Sequence, residues 1–246
     1  MAKQRVRLDQ LLVERGLAPS RARAGSLILA GVVRVEGVLA DKAGRAVAPD
    51  ATVEVVGTDH PWVSRGGVKL NAALDAFQIS AAGRHCLDVG ASTGGFTHVM
   101  LQRGACQVVA LDVGRGQLDW SLRQDPRVVV KEGTNARYLA PGDVPGPFDL
   151  VTVDVSFISL RLVLPALVPV LAEDGDLVVL VKPQFEAGRE QVGKGGVVRD
   201  PELREEAIIA VLQAAARLGL RCLGRLASPI PGPAGNVEEL AHLQRA

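Results

Sequence analysis

Apolar and polar positions along most of this chain form blocks that switch between strand and helix periods. Short, continuously apolar runs predict strands buried on both faces, and longer amphipathic stretches between them predict helices. The predicted helices cover 66–77, 95–103, 158–172 and 201–218, and the predicted strands cover 84–89, 107–112, 127–131, 148–154, 176–182, 221–227 and 238–243. This alternation predicts an α/β fold with a mostly parallel, seven-stranded, Rossmann-like sheet.

The first 57 residues follow a different pattern. Leu8, Leu11 and Leu12 recur at helical spacing and predict a helix that Gly16 ends, and a second helix is expected from Ser20 to residue 29. Short extended pieces follow at 33–35, at 47 and at 52–56. We therefore predict a small domain over 1–57, a linker over 58–65 and a larger domain over 66–246.

Composition narrows the class of protein. The 246 residues are 48% hydrophobic and 22% charged, which argues against wholesale disorder. The longest apolar run, 162–172, is shorter than the roughly 20 residues that a membrane-spanning helix needs. The charged N-terminus does not resemble a signal peptide, and the three cysteines show neither a disulfide framework nor metal-ligand spacing. These features predict a cytoplasmic protein with no bound metal, no membrane partner and no evident obligate protein partner.

The net charge of +1 conceals a basic N-terminus. The first 34 residues contain seven basic and two acidic residues, a net charge of +5. The arginines proposed to contact RNA are Arg5, Arg7, Arg21, Arg23 and Arg34, together with Arg65 at the end of the linker. An ordinary solvated helix face would look the same, and charge alone leaves both interpretations open.

A nucleotide site is predicted where strand 84–89 runs into the sequence GASTGGF. Small residues let this turn approach a ligand, and Asp112, at the end of the next strand, can bind ribose hydroxyls. The dinucleotide pattern requires glycine where this chain has Ser92, which favours S-adenosylmethionine (SAM) over NAD. Asp88 could then address the ammonium of SAM directly or through water. A tight turn without a ligand is the simpler alternative.

Lysine is scarce, because the chain has six lysines and 22 arginines. A lysine in a predicted core segment is therefore a candidate for chemistry that arginine cannot perform. Lys182 ends a core strand and Lys69 follows the linker, and lysine, unlike arginine, can release its proton when burial or a neighbouring cation lowers its pKa. Asp154 ends another strand and Glu238 begins the last one. These four residues could meet beside a methyl donor, although each could instead form a surface salt bridge.

Seven segments carry a resemblance to a known family: SRGGVKL, LDVGASTGGFT, ALDVGRGQL, DVSFISL, LVKPQFE, GGVVRDP and SPIPGPAGNVE. In this order they resemble the TlyA (hemolysin A) family, over about residues 5–240. The resemblance implies a small S-four-like (alpha-L) RNA-binding domain, over about 6–57, joined to an FtsJ-like class I SAM-dependent methyltransferase domain. It also implies methylation of cytidine 2′-hydroxyls in ribosomal RNA within ribosomal subunits.

The family's functional residues map onto this sequence. The implied catalytic residues are Lys69, Asp154, Lys182 and Glu238. The implied cofactor-binding residues are Asp88, Gly90, Ala91, Ser92, Thr93, Gly94, Gly95, Phe96, Asp112, Asn135 and Asp154. Lys182 is expected to act as the general base or to stabilise the developing alkoxide, with Asp154 and Glu238 orienting it and Lys69 disfavouring its charged form.

Three further expectations remain open at this point. Arg65, with Trp62 and Val63, is expected to transmit RNA docking to the SAM site, although a plain hinge would explain it too. Phe157 and Phe185 could stack on a flipped base or simply pack in the core. Short members of the family tend to modify only the large subunit, which favours 23S RNA here. The alternative functions are a membrane-lytic hemolysin and a non-catalytic RNA-binding assembly factor.

Overall fold

The protein divides into two compact units, Met1–Arg65 and Gly66–Ala246. The computed structural model describes residues 5–18, 20–29, 31–56, 60–193, 195–232 and 234–246. Residues 58 and 59 of the predicted linker lie outside the described residues, whereas 60–65 group with the first unit. Each unit is described by itself below.

The first unit is a pair of helices beside short strands. Its elements are β1 (Val6–Arg7), α1 (Leu8–Glu14), α2 (Arg21–Leu29), β2 (Val33–Val35), β3 (Val38–Leu39), β4 (Ala46–Val47) and β5 (Val53–Val55). Leu8, Leu12 and Ile28 are fully buried between them. The Ser20 hydroxyl accepts a hydrogen bond from the Arg23 amide at 3.2 Å, as expected of a residue that begins a helix. The elements of this unit therefore follow the predicted order.

The second unit alternates strands and helices. Its elements are α3 (Gly66–Ala76), β6 (His85–Val89), α4 (Gly95–Gln102), β7 (Gln107–Asp112), α5 (Trp120–Arg123), β8 (Val128–Glu132), β9 (Phe148–Val153), α6 (Leu160–Leu167), β10 (Leu171–Val181), α7 (Pro183–Glu186), α8 (Pro201–Arg217), β11 (Leu220–Ala227) and β12 (Glu239–Arg245). Short 3₁₀ turns lie at Ala136–Tyr138, Val168–Val170 and Arg189–Gln191.

The seven strands of this unit form one sheet in the order β11-β12-β10-β9-β6-β7-β8. All neighbours from β10 to β8 run parallel, and β12 pairs antiparallel with both β10 and β11. The strand order reverses direction between β6 and β9. Ligands bind beyond the carboxyl ends of parallel strands at such a switch point.

The predicted helix 158–172 is too long, and the predicted strand 176–182 starts too late. Helix α6 ends at Leu167, a 3₁₀ turn covers Val168–Val170, and β10 already begins at Leu171. Pro169 lies in that turn and has no N–H to donate to a further α-helical turn, whereas Pro165 is accommodated within α6 itself. The early part of β10 is irregular, because its register with β9 shifts between Leu171 and Asp176.

The core of this unit lies on both faces of the central strands. Leu87, Val151, Leu177 and Val179 are fully buried, which agrees with the continuous apolar runs that predicted these strands. In the part of the chain that the structure describes, no helix is long and apolar enough to cross a bilayer.

Candidate active site

A cavity of about 360 Å³ opens beyond the carboxyl ends of β6, β7 and β9. This volume is within the range of small-molecule sites, about 300–1,000 Å³. Its lining comes from the loops after these strands and includes Gly90, Ser92, Asp112, Gly114, Gln117, Thr134, Asn135, Asp154, Ser156 and Phe157. The topology therefore places four of the predicted cofactor residues, and the shared residue Asp154, around one space.

The loop after β6 approaches its neighbours closely. Gly90 has φ +84°, and a Cβ there would collide with the backbone of Asp154. Gly94 has φ +94°, and a Cβ there would collide with the side chains of Leu118 and Leu122. Glycine at position 90 therefore lets this loop lie against the backbone after β9, whereas Gly94 is required by packing against Leu118 and Leu122.

Some predicted cofactor residues lie in the core. Ala91 and Phe96 are buried, and Gly95 begins helix α4 and is itself buried. Ala91, Thr93, Gly94, Gly95 and Phe96 are not among the residues that line the cavity. Their contribution to a cofactor stays a prediction, and their packing explains why small or apolar residues stand there.

Asp112 stabilises the loop and faces the cavity. One of its carboxylate oxygens accepts a hydrogen bond from the Ser92 amide at 2.8 Å, and the other accepts one from the Gly114 amide at 2.7 Å. Each carboxylate oxygen has a second lone pair, so the side chain can still accept bonds from ribose hydroxyls. Ser92 holds φ +48°, a conformation that non-glycine residues rarely adopt.

Asp88 is fully buried and takes part in a closed network. It accepts hydrogen bonds from the Thr97 amide at 2.8 Å, the Thr97 hydroxyl at 2.6 Å and the Thr152 hydroxyl at 3.3 Å. Burial raises the pKa of Asp88 to about 7, although the bonds from Thr97 act in the opposite direction. Asp88 thus anchors the first turn of α4, and it is not among the residues lining the cavity.

The side chains around this cavity fit SAM. The backbone of Gly90 and Ser92 forms a cradle along one side of the cavity, and the carboxylate of Asp112 lines the same cavity. Asn135 lines the same cavity, while its side-chain oxygen accepts the Arg137 amide at 3.0 Å. A cradle, a carboxylate and an amide side chain form a suitable set for a nucleoside without phosphates.

The four predicted catalytic residues form two ion pairs. Lys182 Nζ lies 2.6 Å from Asp154 Oδ1, and Lys69 Nζ lies 2.5 Å from Glu238 Oε2. Lys69, Lys182 and Glu238 are buried. Buried charges of this kind need partners, so the pairing explains how two lysines are accommodated in the interior.

Strand order explains why three of these residues meet. Strands β12, β10 and β9 are neighbours, and Val181 pairs with Glu239. Lys182 and Glu238 are the next residues beyond that pair, and Asp154 follows the end of β9. Lys69 reaches Glu238 from helix α3, which is not part of the sheet.

A hydrogen-bonded loop holds Glu238 in place. The Asn236 side-chain oxygen accepts the Val198 amide at 3.0 Å, and its side-chain amide donates to the Gly196 carbonyl at 2.8 Å. The Gly232 amide donates to the Asn236 carbonyl at 2.9 Å. A Cβ at Gly232 would come within 2.5 Å of Glu238 Oε1, so only glycine allows this approach.

Ser156 is a site residue that sequence reasoning did not single out. Its hydroxyl accepts a hydrogen bond from Lys182 Nζ at 2.9 Å, and the residue lines the cavity. The available signal was its position two residues after Asp154, within the DVSF segment.

A second cavity of about 560 Å³ adjoins the first, sharing Asn135, Ser156 and Phe157 in its lining. Phe157 is 92% exposed and holds φ +65°, and its ring centroid lies 5.2 Å from that of Phe185. An exposed aromatic side chain in a strained backbone conformation does not fit the core-packing alternative for Phe157.

The arginines of the first unit bind its own carbonyls and carboxylates. Asp9 accepts hydrogen bonds from Arg7 at 2.9 and 3.0 Å and from Arg21 at 3.0 Å. The hydrogen bond from Arg7 is the largest cause that lowers the pKa of Asp9 to about 2. Arg7 and Arg21 remain more than half exposed, so their other donors can still meet phosphates.

Arg23, Arg34 and Arg65 have neighbours within the first unit as well. Arg23 donates to the carbonyls of Trp62 at 2.8 Å and His60 at 2.9 Å, and Arg34 donates to the Gly37 carbonyl at 3.1 Å. The guanidinium of Arg65 lies beside Gly31. Arg5 is exposed. The RNA contacts of all six arginines stay predictions.

Comparisons with known proteins agree with this geometry. Residues 62–245 match the FtsJ-like methyltransferase family, and residues 6–53 match the S4 domain. The chain is 58% identical over 236 residues to the 16S/23S rRNA (cytidine-2′-O)-methyltransferase TlyA of Mycobacterium tuberculosis, covering 96% of this chain and 88% of that protein. It is 36% identical over 178 residues to the 23S rRNA (cytidine-2′-O)-methyltransferase TlyA of Campylobacter jejuni, covering 72% and 68%.

A solved structure from Streptococcus thermophilus, which carries the name hemolysin, superposes with a TM-score of 0.78 and 44% identity, covering all of this chain and 90% of that one. The predicted fold class, the predicted cofactor SAM and the resemblance to the TlyA (hemolysin A) family are therefore confirmed. The chain belongs to the FtsJ-like methyltransferases and, within them, to the TlyA family with its N-terminal S4 domain.

Proposed function

We propose that this protein transfers a methyl group from SAM to the 2′-hydroxyl of a cytidine in ribosomal RNA. The observation that carries the proposal is the buried Lys182, which is ion-paired with Asp154 and hydrogen-bonded to Ser156. Asp154 lines the cofactor cavity, and Ser156 lines both this cavity and the second one. Both relatives described above are named for cytidine-2′-O-methylation, and both names include 23S RNA. We therefore propose 23S RNA in the large subunit as the first substrate and 16S RNA as the second.

The chain's own residues account for the proton. When bound, SAM supplies an electrophilic methyl group on its sulfonium. Lys182 takes the proton of the attacking hydroxyl, and Asp154, 2.6 Å away, stabilises the ammonium that forms. Ser156 accepts one further N–H of that ammonium, which fixes the direction of the remaining donor. Lys69 and Glu238 neutralise each other beside this site.

The second cavity offers a place for the target nucleotide. Its lining includes Asn135, Arg137, Phe157 and Phe185, which together present an amide, a guanidinium and two aromatic rings. Bases stack on aromatic side chains and RNA phosphates pair with arginine, so this lining suits a nucleotide extruded from its helix. The exposed arginines of the S4 domain would hold the surrounding RNA through its backbone.

The experiment supplies methyl-labelled SAM with purified 50S or 30S subunits and maps the labelled nucleotide. We expect label on a cytidine ribose of 23S RNA that resists alkaline hydrolysis. The absence of transfer to either subunit would instead favour a non-catalytic RNA-binding assembly factor. Leakage of liposomes at low protein concentration would favour the membrane-lytic alternative.

Lys182→Arg tests the assigned base in the same assay. Arginine keeps the charge but does not give up or take a proton at neutral pH, so we expect kcat to fall by about 10²-fold or more. Calorimetric SAM binding is the control and should stay within about twofold, because the cofactor cavity keeps its other residues. A Lys182→Arg variant that methylates at the normal rate would show that charge alone is sufficient.

A further inference from the structure

Glu186 is a buried carboxylate that the proposed chemistry does not use. It ends helix α7, and its side chain is 1% exposed. Removing a carboxylate from water is unfavourable unless hydrogen-bond donors replace the water. The donors that bond to the Glu186 carboxylate therefore indicate its structural role.

The donors to Glu186 all come from the segment at the start of α6. The Ser159 hydroxyl donates to Oε2 at 2.5 Å, the Leu160 amide donates to Oε1 at 2.6 Å, and Arg161 Nε lies 3.4 Å from Oε2. The Arg161 guanidinium also donates to the Glu186 carbonyl at 3.0 Å. Glu186 thus ties the segment after β10 to the segment after β9.

These two segments carry the groups to which we assign the reaction. Lys182 begins one segment and bonds to Asp154 and Ser156 in the other. Further out, Phe157 and Phe185 face each other with ring centroids 5.2 Å apart. The second cavity is lined by both segments. Their separation is therefore fixed at the inner end by Lys182 and at the outer end by Glu186.

A purely structural role for Glu186 would be to cap helix α6. The Ser159 hydroxyl already accepts the Arg161 amide of that helix at 3.2 Å, and Glu186 accepts the Leu160 amide, so capping accounts for only part of the bonding of Glu186. Capping alone also does not explain why Glu186 and its donors belong to two different segments that line the same cavity. Bonds between the two segments hold them at a fixed separation, and this separation determines the width of the cavity between them.

We propose that Glu186 is a positioning residue that holds the segment carrying Lys182 and Phe185 against the segment carrying Phe157, and so sets the width of the second cavity that both segments line. This inference rests on the proposed methyl transfer. Burial raises the pKa of Glu186, against the hydrogen bonds from Ser159 and Leu160, so a neutral side chain of the same shape should be tolerated there. Glutamine retains one acceptor for the Leu160 amide, and its own amide can donate to the Ser159 hydroxyl.

The test compares wild type, Glu186→Ala, Glu186→Gln and Ser159→Ala in steady-state methylation of 50S subunits. All assays run well below each variant's unfolding midpoint. We expect Glu186→Ala to lower kcat by about 30- to 100-fold, because a shift of about 1 Å in reacting groups has effects of this size. Glu186→Gln should stay within about fivefold of wild type, and Ser159→Ala should fall between them. SAM affinity should change by less than about twofold in all three variants.

Asp176→Asn is the matched control, because it alters a buried carboxylate in strand β10 that lines neither of the two cavities. It should lower stability and leave kcat unchanged. The positioning role is overturned if Glu186→Ala keeps its kcat, if Glu186→Gln is damaged as much as Glu186→Ala, or if Asp176→Asn lowers kcat equally. If wild type itself transfers no methyl group, the proposed function fails and this inference fails with it. Transfer by wild type with a normal Glu186→Ala variant overturns the inference alone.

Discussion

The part of strand β10 that pairs in continuous register, from Asp176 onward, carries a buried ionic cluster at each end, and the surroundings of the two clusters differ. At the carboxyl end, Lys182 bonds to Asp154, which lines the cofactor cavity, and to Ser156, which lines both cavities. Toward the amino end, Asp176 accepts hydrogen bonds from His242 at 2.6 Å and from the Gln244 side-chain amide at 2.8 Å. Asp176 also forms an ion pair with Arg84.

The difference between these ends separates structural from chemical use of charge. Burial acts to raise the pKa of Asp176, but the bonds from His242, Arg84 and Gln244 outweigh it and lower the pKa to about 2. His242 and Gln244 belong to β12, so this cluster fastens the last strand to the sheet. The Lys182 cluster also pairs an aspartate with a basic residue, but its Asp154 and Ser156 line cavities that a ligand can enter. An ion pair therefore indicates chemistry only where a cavity adjoins it.

The largest expected effect is a difference in kcat between two variants, one with a substitution in the Lys182 cluster and one with a substitution in the Asp176 cluster. Asp154→Asn removes the carboxylate that stabilises the protonated Lys182, and we expect kcat to fall by about 10²- to 10⁴-fold. Asp176→Asn should leave kcat within about twofold, because no reacting group lies near it. Single-turnover methylation of 50S subunits measures both. Equal losses in the two variants would contradict the distinction between the ends.

The Lys69–Glu238 pair gives the next largest effect, this time on stability. Lys69→Met leaves Glu238 buried without its cation, which should lower the free energy of unfolding by about 3–5 kcal/mol. The double variant Lys69→Met/Glu238→Leu removes both charges and should recover most of that loss. Urea unfolding measures all three proteins. A double variant no more stable than Lys69→Met would show that the pair itself stabilises the fold.

The smallest effect is a pH dependence at the Asp176 end. Because the folded-state pKa of Asp176 is depressed, its stabilisation is present above the unfolded pKa near 4 and is lost as the pH falls through about 2. Asp176→Asn should therefore be less stable than wild type by about 2 kcal/mol at pH 7. That difference should shrink as the pH falls from 4 toward 2, as followed by urea unfolding. A difference that stays constant over this range would exclude the ionised carboxylate as its cause.

Particular elements show how far the sequence reaches. The run at 177–181 identifies its strand because each residue is apolar and buried, and the strand at 148–153 is buried throughout except at Asp149. The boundary near residue 170 was wrong, since the apolar run from 162 continues across a helix, a turn and a strand without a change in hydrophobicity. Periodicity alone does not distinguish these three states within one apolar run.

The candidate site was only partly predictable. Gly90 and Asp112 line the cavity as expected, whereas Asp88, Ala91 and Phe96 are buried away from it. Ser156 and Glu186 were not singled out, because a serine and a glutamate are common on protein surfaces. Their burial and bonding partners become visible only when the segments after β9 and β10 lie side by side.

The sequence by itself determined the α/β class, the glycine-rich turn after β6, the basic N-terminal segment and the family to which the chain belongs. These are properties of residue order, since periodicity and motif spacing are local. The tertiary structure decided which charges pair, which small residues border a cavity and which only pack. Lys69 and Glu238 are separated by 169 positions, yet their side chains meet at 2.5 Å, one from helix α3 and the other from the residue before β12. Strand order and burial fix such contacts, and neither can be read from spacing along the chain.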